Sequence, residues 1–253
     1  MEASFSLAGK VAIVTGGGRG IGRAIALAYG RAGAAVAVIG RSAGHVEAVA
    51  AEIVDEGGRS LAVAADLTET RKIGEIFDHV KNELGGLEIL VNSAGVQLTG
   101  PSLEVTEESW DTTIDSNLKA LFFCCQAAGA HFALQGHGKI INLGSTFAVV
   151  GFPNFAAYCA SKGGVLQLTK ALAAEWSSIG INVNAIGPTA IRTELNRYLF
   201  ENQEFLDSFL PKVPAGRVGE TGDVVGAAVF LASSASDFVH GHQLMVDGGF
   251  TAV

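Results

Sequence analysis

Short runs of apolar, mostly β-branched residues recur through this sequence, each followed by a longer stretch whose apolar positions return every three to four residues. The runs at 11–14, 36–39, 61–64, 89–91, 140–143, 181–186 and 243–246 read as strands. They are nearly continuous in apolar character, whereas a strand with one wet face would alternate, so they predict parallel strands covered on both sides. The stretches at 21–32, 42–56, 70–84, 107–134, 157–178 and 223–232 read as helices. This alternation predicts an α/β fold: a doubly wound parallel sheet of about seven strands, with right-handed crossovers laying helices on both faces. No proline- or glycine-rich linker and no internal repeat interrupts it, so residues 1–253 are read as one domain.

The rhythm breaks at 189–220. This segment is irregular, contains Pro211 and Pro214, and carries Tyr198, Phe200, Phe205 and Phe209. A connection of that length inside a compact domain is either functional or disordered, and its helical fragments predict a substrate lid.

Composition narrows the classes. The chain has 253 residues, 49% of them apolar, with 33 glycines and a formal charge of −8. The negative balance disfavours nucleic acid and anionic membranes as partners. Three cysteines, two of them adjacent (Cys124 and Cys125), provide neither a disulfide framework nor a metal knuckle, and no metal site is expected. The first ten residues lack the apolar core of a secretory signal. The longest apolar stretch, 121–134, is interrupted by Gln126 and His131 and falls short of the ~20 residues a bilayer requires. A cytoplasmic location is expected.

The first candidate chemistry is the run Thr15-Gly16-Gly17-Gly18-Arg19-Gly20-Ile21-Gly22 between the first strand and the first helix. Glycines there permit a tight turn and close approach of backbone N–H groups to phosphate oxygens, and the following helix presents its positive end. A dinucleotide site would place Gly16, Arg19, Gly20, Ile21 and Gly22 at the pyrophosphate. Sites for NAD carry an acidic residue about 20 positions further on to hold the ribose 2′-hydroxyl. Here the second strand ends Ile39-Gly40-Arg41-Ser42, with no carboxylate. Arg19 and Arg41 can instead meet a 2′-phosphate, which favours NADP(H) over NAD(H), although solvated surface arginines are the competing reading. Asp66 and Leu67 follow the third strand, where Asp66 can accept from the adenine amino group or cap the next helix. Asn92, Ala94 and Gly95 follow the fourth strand and would border the adenosine ribose; tight turn packing competes with that role.

The second candidate is Tyr158 with Lys162, four residues apart and hence on one face of a helix. Tyrosine, with an ordinary pKa of about 10, is a poor base near neutrality. A nearby ammonium together with an oxidised nicotinamide is expected to lower it. Tyr158 can then exchange a proton with a carbonyl or alcohol oxygen while Lys162 holds the nicotinamide ribose. Ser145 ends the fifth strand, where doubly wound sheets place ligands, and can polarise the substrate oxygen. Asn117, on the long helix, is read either as a locally bonded side chain or as the holder of a water linking Lys162 to solvent.

These motifs carry a resemblance. From the glycine run to Val246-Asp247-Gly248-Gly249 the chain is similar to short-chain dehydrogenases/reductases, with Asn92-Ser93-Ala94-Gly95, Asn117, Ser145, Tyr158 and Lys162 in family order and spacing. The resemblance implies a Rossmann sheet, an Asn117–Ser145–Tyr158–Lys162 tetrad, no metal chemistry and a homotetramer. It also places Pro188 against the nicotinamide and Thr193 at its carboxamide. One departure stands out: the family pattern after the sixth strand is Pro-Gly, whereas this chain reads Gly187-Pro188-Thr189. Within the family, the C-terminal motifs most resemble gluconate 5-dehydrogenases and polyol dehydrogenases, and also 3-oxoacyl carrier-protein reductases. The latter dock an acidic carrier through basic residues, at positions that here are Gly136 and Ala174. The favoured reading is an NAD(P)(H)-dependent oxidoreductase interconverting a secondary alcohol and a ketone on a sugar acid, polyol or similar small molecule. The carrier-protein reductase and a non-catalytic cofactor-sensing Rossmann protein remain alternatives. Gln97, Phe147, Phe152, Asn154, Phe155 and Arg192 are the substrate candidates, Arg192 for a carboxylate.

Overall fold

A computed structural model describes residues 4–253, apart from the side chains of Leu195, Tyr198 and Leu199. Seven parallel strands form the sheet: β1 (Val11–Thr15), β2 (Ala35–Gly40), β3 (Arg59–Ala64), β4 (Ile89–Asn92), β5 (Gly138–Leu143), β6 (Ile181–Pro188) and, as the last strand of the chain, Gln243–Val246. Their order is β3-β2-β1-β4-β5-β6 followed by that last strand. The chain leaves β1 toward one edge and returns to β4 to build toward the other. A crevice therefore opens at the carboxyl ends of β1 and β4, where a doubly wound sheet binds its ligand.

Helices cover both faces, as the apolar runs require. On one side α1 (Gly20–Arg31), α2 (Ala43–Asp55) and the last helix (Thr221–Ala232) bury Ile25, Val49, Ile53 and Leu231 against the sheet. The Tyr29 hydroxyl in this layer donates to the Ala228 carbonyl at 2.9 Å, which satisfies its one buried polar atom. On the other side lie α3 (Ile73–Leu84) and two long helices, whose residues Phe77, Phe132, Val165 and Leu172 fill the second core. Among the described residues no helix is long and apolar enough to cross a membrane.

The predicted helix at 107–134 is in fact two. α4 (Glu107–Ile114) gives way to a π-helical turn, Asp115–Lys119, before α5 (Ala120–Gln135) continues to the Gly136 terminator. Apolar periodicity passes smoothly through this turn, so the sequence pattern does not reveal it. The cause is tertiary: Asn117, inside the turn, is bonded to a neighbouring loop, and π turns commonly mark such functional positions. α6 (Ala156–Trp176) follows β5 and carries Tyr158 and Lys162.

The segment 189–220 is ordered into a small unit. β7 (Ile191–Arg192) pairs in parallel with β8 (Gly219–Glu220), enclosing α7 (Arg197–Phe200) and α8 (Gln203–Phe209). Phe200, Phe209, Val213 and Val218 form an apolar cluster separate from the two main layers. Two-residue strands are too short for a sequence pattern to announce. The final helix and strand named above are α9 and β9.

Candidate active site

The crevice at the switch point is a single cavity of about 710 Å³, running from Arg41 and Asp66 past the glycine turn to Ser145, Tyr158 and the aromatic residues of the 189–220 unit. Gly16 takes a left-handed φ of 65°, and a Cβ on it would stand 2.8 Å from the Ala94 backbone. A Cβ on Gly22 would overlap the Gly16 carbonyl oxygen. These two glycines thus let the β1 turn, the β4 turn and α1 close upon one another, a packing role beyond the phosphate approach expected of them. Thr15 completes the junction, its hydroxyl accepting from the Ser93 and Ala94 amides at 3.1 and 3.2 Å. Nothing local distinguishes this threonine from an ordinary strand residue.

At the start of α1, Arg19 adopts extended backbone and offers no side-chain cap. The first amides of the helix are left without a side-chain acceptor, and Gly20, Ile21 and Gly22 line the cavity beside them. Such a terminus suits an anion. Arg41, Ser42 and His45 line the same end of the cavity as Arg19, and no acidic side chain ends β2. Asp66 and Leu67 line it as well. The Asp66 carboxylate accepts from the Thr68 amide and hydroxyl at 2.9 and 2.7 Å, which with nearby Arg41 holds its pKa below the usual range. It closes a local turn rather than capping a helix. Ala94, Gly95, Pro188 and Thr193 also face the cavity. Thr193 and Asn196 form a reciprocal cap at the base of the 189–220 unit.

Asn92 is not brought into the cavity. It stands opposite Asn142 in the β4–β5 register and points into the core, donating to Asn142 Oδ1 at 2.9 Å and Cys125 Sγ at 3.2 Å. Alternation along β4 sets this direction, so only the turn after it, not Asn92 itself, borders the cavity. Arg192 is likewise turned away. It pairs with Glu220 at 3.1 Å, lies 5.1 Å from the Phe200 ring centre and is outside the cavity wall. The β7–β8 pairing sets those partners side by side, which removes Arg192 as a carboxylate-binding candidate.

Around Tyr158 the geometry is tight. Lys162 is buried, and its Nζ donates to the Leu143 carbonyl at 2.6 Å while lying 5.7 Å from the Tyr158 ring centre. Burial pushes its pKa down to about 8. The surrounding protein pushes the Tyr158 phenol up to about 12, with hydrogen bonding to Ser145 opposing the rise. Desolvation is the main cause of that rise, so the chain alone does not give the lowering expected from Lys162 together with an oxidised nicotinamide. Ser145 Oγ accepts from the Phe147 amide at 3.1 Å, and the Ser145 carbonyl accepts from Gln243 Nε2 at 3.1 Å. Gln243 comes from β9, nearly a hundred residues away, and no sequence signal linked it to the site.

Asn117 acts as a clamp. Its Oδ1 accepts from the Val96 amide at 2.7 Å, and its Nδ2 donates to the Val96 carbonyl at 2.9 Å and Ser161 Oγ at 3.2 Å. The side-chain amide protons are thus committed to the Val96 carbonyl and Ser161. Gln97 and Asn154 sit exposed at the rim, whereas Phe147, Phe152 and Phe155 are half-buried in the wall. Asn154 takes a left-handed φ of 69°, a conformation asparagine tolerates, and its carbonyl accepts from Gly100 at 2.9 Å. It alone among the described non-glycine residues has positive φ, so Thr189 follows Pro188 without needing the glycine of the family pattern.

An anion-receptive helix terminus facing a half-buried phenol across one crevice suits hydride exchange with a nucleotide cofactor, the chemistry of a dinucleotide-dependent oxidoreductase. A family model described as enoyl-(acyl carrier protein) reductase matches residues 16–251. The chain is 40% identical over 251 residues to the D-threitol dehydrogenase of Mycolicibacterium smegmatis, covering 99% of this chain and 96% of that protein. It is 38% identical over 247 residues to the gluconate 5-dehydrogenase of Gluconobacter oxydans, covering 98% and 96%. The crystal structure of a gluconate 5-dehydrogenase from Burkholderia cenocepacia, in complex with NADP and tartrate, matches with a TM-score of 0.95 at 38% identity, covering 98% of each chain. The chain belongs to the short-chain dehydrogenase/reductase family.

Proposed function

We propose that this protein interconverts a secondary alcohol and its ketone with NADP(H), on small polyols or sugar acids like those in its relatives' names. The observation that carries the reading is the Tyr158 phenol, sharing the cavity wall with Ser145 and backed by Lys162, in the cavity that Arg19 and Arg41 also line. The uncapped α1 terminus fits the pyrophosphate. Arg19 and Arg41, with no acidic residue ending β2, fit a 2′-phosphate, and the NADP bound to the Burkholderia relative supports that preference over NAD(H).

NADPH, when bound, supplies the hydride. With its pKa near 12, Tyr158 is protonated throughout the neutral range and gives its proton to the carbonyl oxygen as the carbon is reduced. Ser145 donates to the same oxygen and shares the developing charge. In oxidation Tyr158 would accept the alcohol's proton, its phenolate favoured by the positive charge that an oxidised nicotinamide would bring. Lys162 supports the phenolate and the ribose, and Asn117 holds the 95–97 turn and Ser161 beneath them. The 189–220 unit serves as the substrate lid. An exposed apolar groove between Leu118 and Phe122 on one side and Gly164 and Leu168 of α6 on the other suits burial against a second subunit, in keeping with a cytoplasmic homotetramer.

The test is Tyr158→Phe, which keeps the ring and removes the proton. Ketone-dependent NADPH oxidation should fall by about 10²–10⁴-fold while NADPH still binds. A variant retaining more than a tenth of the activity would refute the assignment. Cofactor binding by the parent enzyme without turnover of any ketone would instead favour a sensor.

A further inference from the structure

We infer that the substrate end of this cleft takes uncharged ketones bearing an apolar substituent of aromatic size, so that the enzyme reduces such ketones in addition to keto-polyols. The inference rests on the hydride-transfer reading above and concerns what lies beside the reacting carbon.

Phe147 follows Ser145 by two residues, and its ring meets the Tyr158 ring edge-on at 6.3 Å. It stacks on Phe152 at 5.0 Å and 17° and meets the edge of Phe155 at 5.1 Å. On the lid side Phe205 stacks on Phe209 at 5.3 Å, and Phe209 stacks on Phe250 at 5.6 Å. Phe250 lies 6.5 Å from Phe147, so the rings run without a break from the proposed proton donor to the lid. A role confined to holding the fold would bury these rings. Phe147, Phe152 and Phe155 instead stay half-buried and give apolar surface to the cavity.

Several polar candidates are exposed, already bonded or remote from this wall. Gln97 and Asn154 are at the exposed rim, Lys162 is bound to the Leu143 carbonyl, and Arg192 is paired with Glu220. Lys212, though 5.2 Å from the Phe152 ring centre, is not among the residues that line the cavity, and Arg19 and Arg41 line it beside the glycine turn. A hydroxyl or carboxylate pressed against ring faces loses water without a replacement partner. A flat apolar group loses nothing of that kind, and the ring spacings here are those at which aromatic groups pack favourably. The wall therefore selects for apolar bulk on one side of the carbonyl.

The experiment compares kcat/KM of the purified full chain with NADPH for 4-phenyl-2-butanone, butanone, erythrulose and 5-ketogluconate. The phenyl ketone should exceed butanone by about tenfold or more. Phe152→Ala should shrink that ratio about tenfold, and Phe152→Leu, which keeps apolar volume, should restore most of it. The phenyl ketone should also inhibit erythrulose reduction competitively, a readout that needs no variant. Turnover of erythrulose or ketogluconate with no phenyl advantage over butanone would overturn the aromatic subsite and leave the reaction class standing. A phenyl advantage indifferent to Phe152→Ala would overturn its placement on this wall. No turnover of any ketone would bring down the reaction class, and this inference with it.

Discussion

Replacing Lys162 with methionine isolates the energetic strain of the site. The Lys162 pKa falls from the usual 10.5 to about 8 through burial, a difference equivalent to about 3 kcal/mol of disfavour for its ammonium in the folded state at neutral pH. Methionine retains most of the stem and carries no charge to desolvate. It also withdraws the donor from the Leu143 carbonyl, a loss of about 1–3 kcal/mol, so the variant at pH 7 should match or modestly exceed the parent in stability while losing activity. The decisive quantity is the pH dependence. Between pH 8 and 10.5 the unfolded chain keeps the Lys162 proton that the folded chain has lost, so the parent gains stability as pH rises through this window and the variant does not. Urea unfolding of both proteins at pH 7 and pH 10 should show the parent improving relative to Lys162→Met by about 2–3 kcal/mol, with all other titrations cancelling in the comparison. A stability difference independent of pH would show that burial does not destabilise the ammonium, and the reasoning would fall.

Other expectations follow from the same geometry. Arg41→Ala should raise the KM for NADP about tenfold with little effect on NAD, in steady-state kinetics with each cofactor; an unchanged NADP/NAD ratio would remove Arg41 from the 2′-phosphate. Gly22→Ala drives a Cβ into the Gly16 carbonyl oxygen, so α1 must shift from the β1 turn. Binding of NADPH, followed by fluorescence titration, should weaken at least tenfold, and native affinity in this variant would contradict the close-packed junction.

Much of this molecule is visible in one dimension because its rules are local. Buried parallel strands demand continuous apolar runs, and six of the seven sheet strands are read to within two residues at each end. The last, Gln243–Val246, falls where the pattern places it. The glycine turn, Tyr158 with Lys162 and Ser145 are legible for the same reason: a turn, a helical repeat and a strand end are each properties of a few adjacent residues. The π turn at Asp115–Lys119 is not, since it arises when Asn117 reaches the Val96 backbone across a loop. Nor are the roles of Thr15 and Gln243, which act on residues 78 and 98 positions away. Arg192 and Asn92 show the converse: chemically apt side chains are withdrawn from the site by the strand register that gives them other partners. The upward shift of the Tyr158 phenol belongs with these cases. Residue type and spacing place an ammonium nearby, but desolvation depends on everything packed around the ring, and only the folded chain brings that surrounding into being.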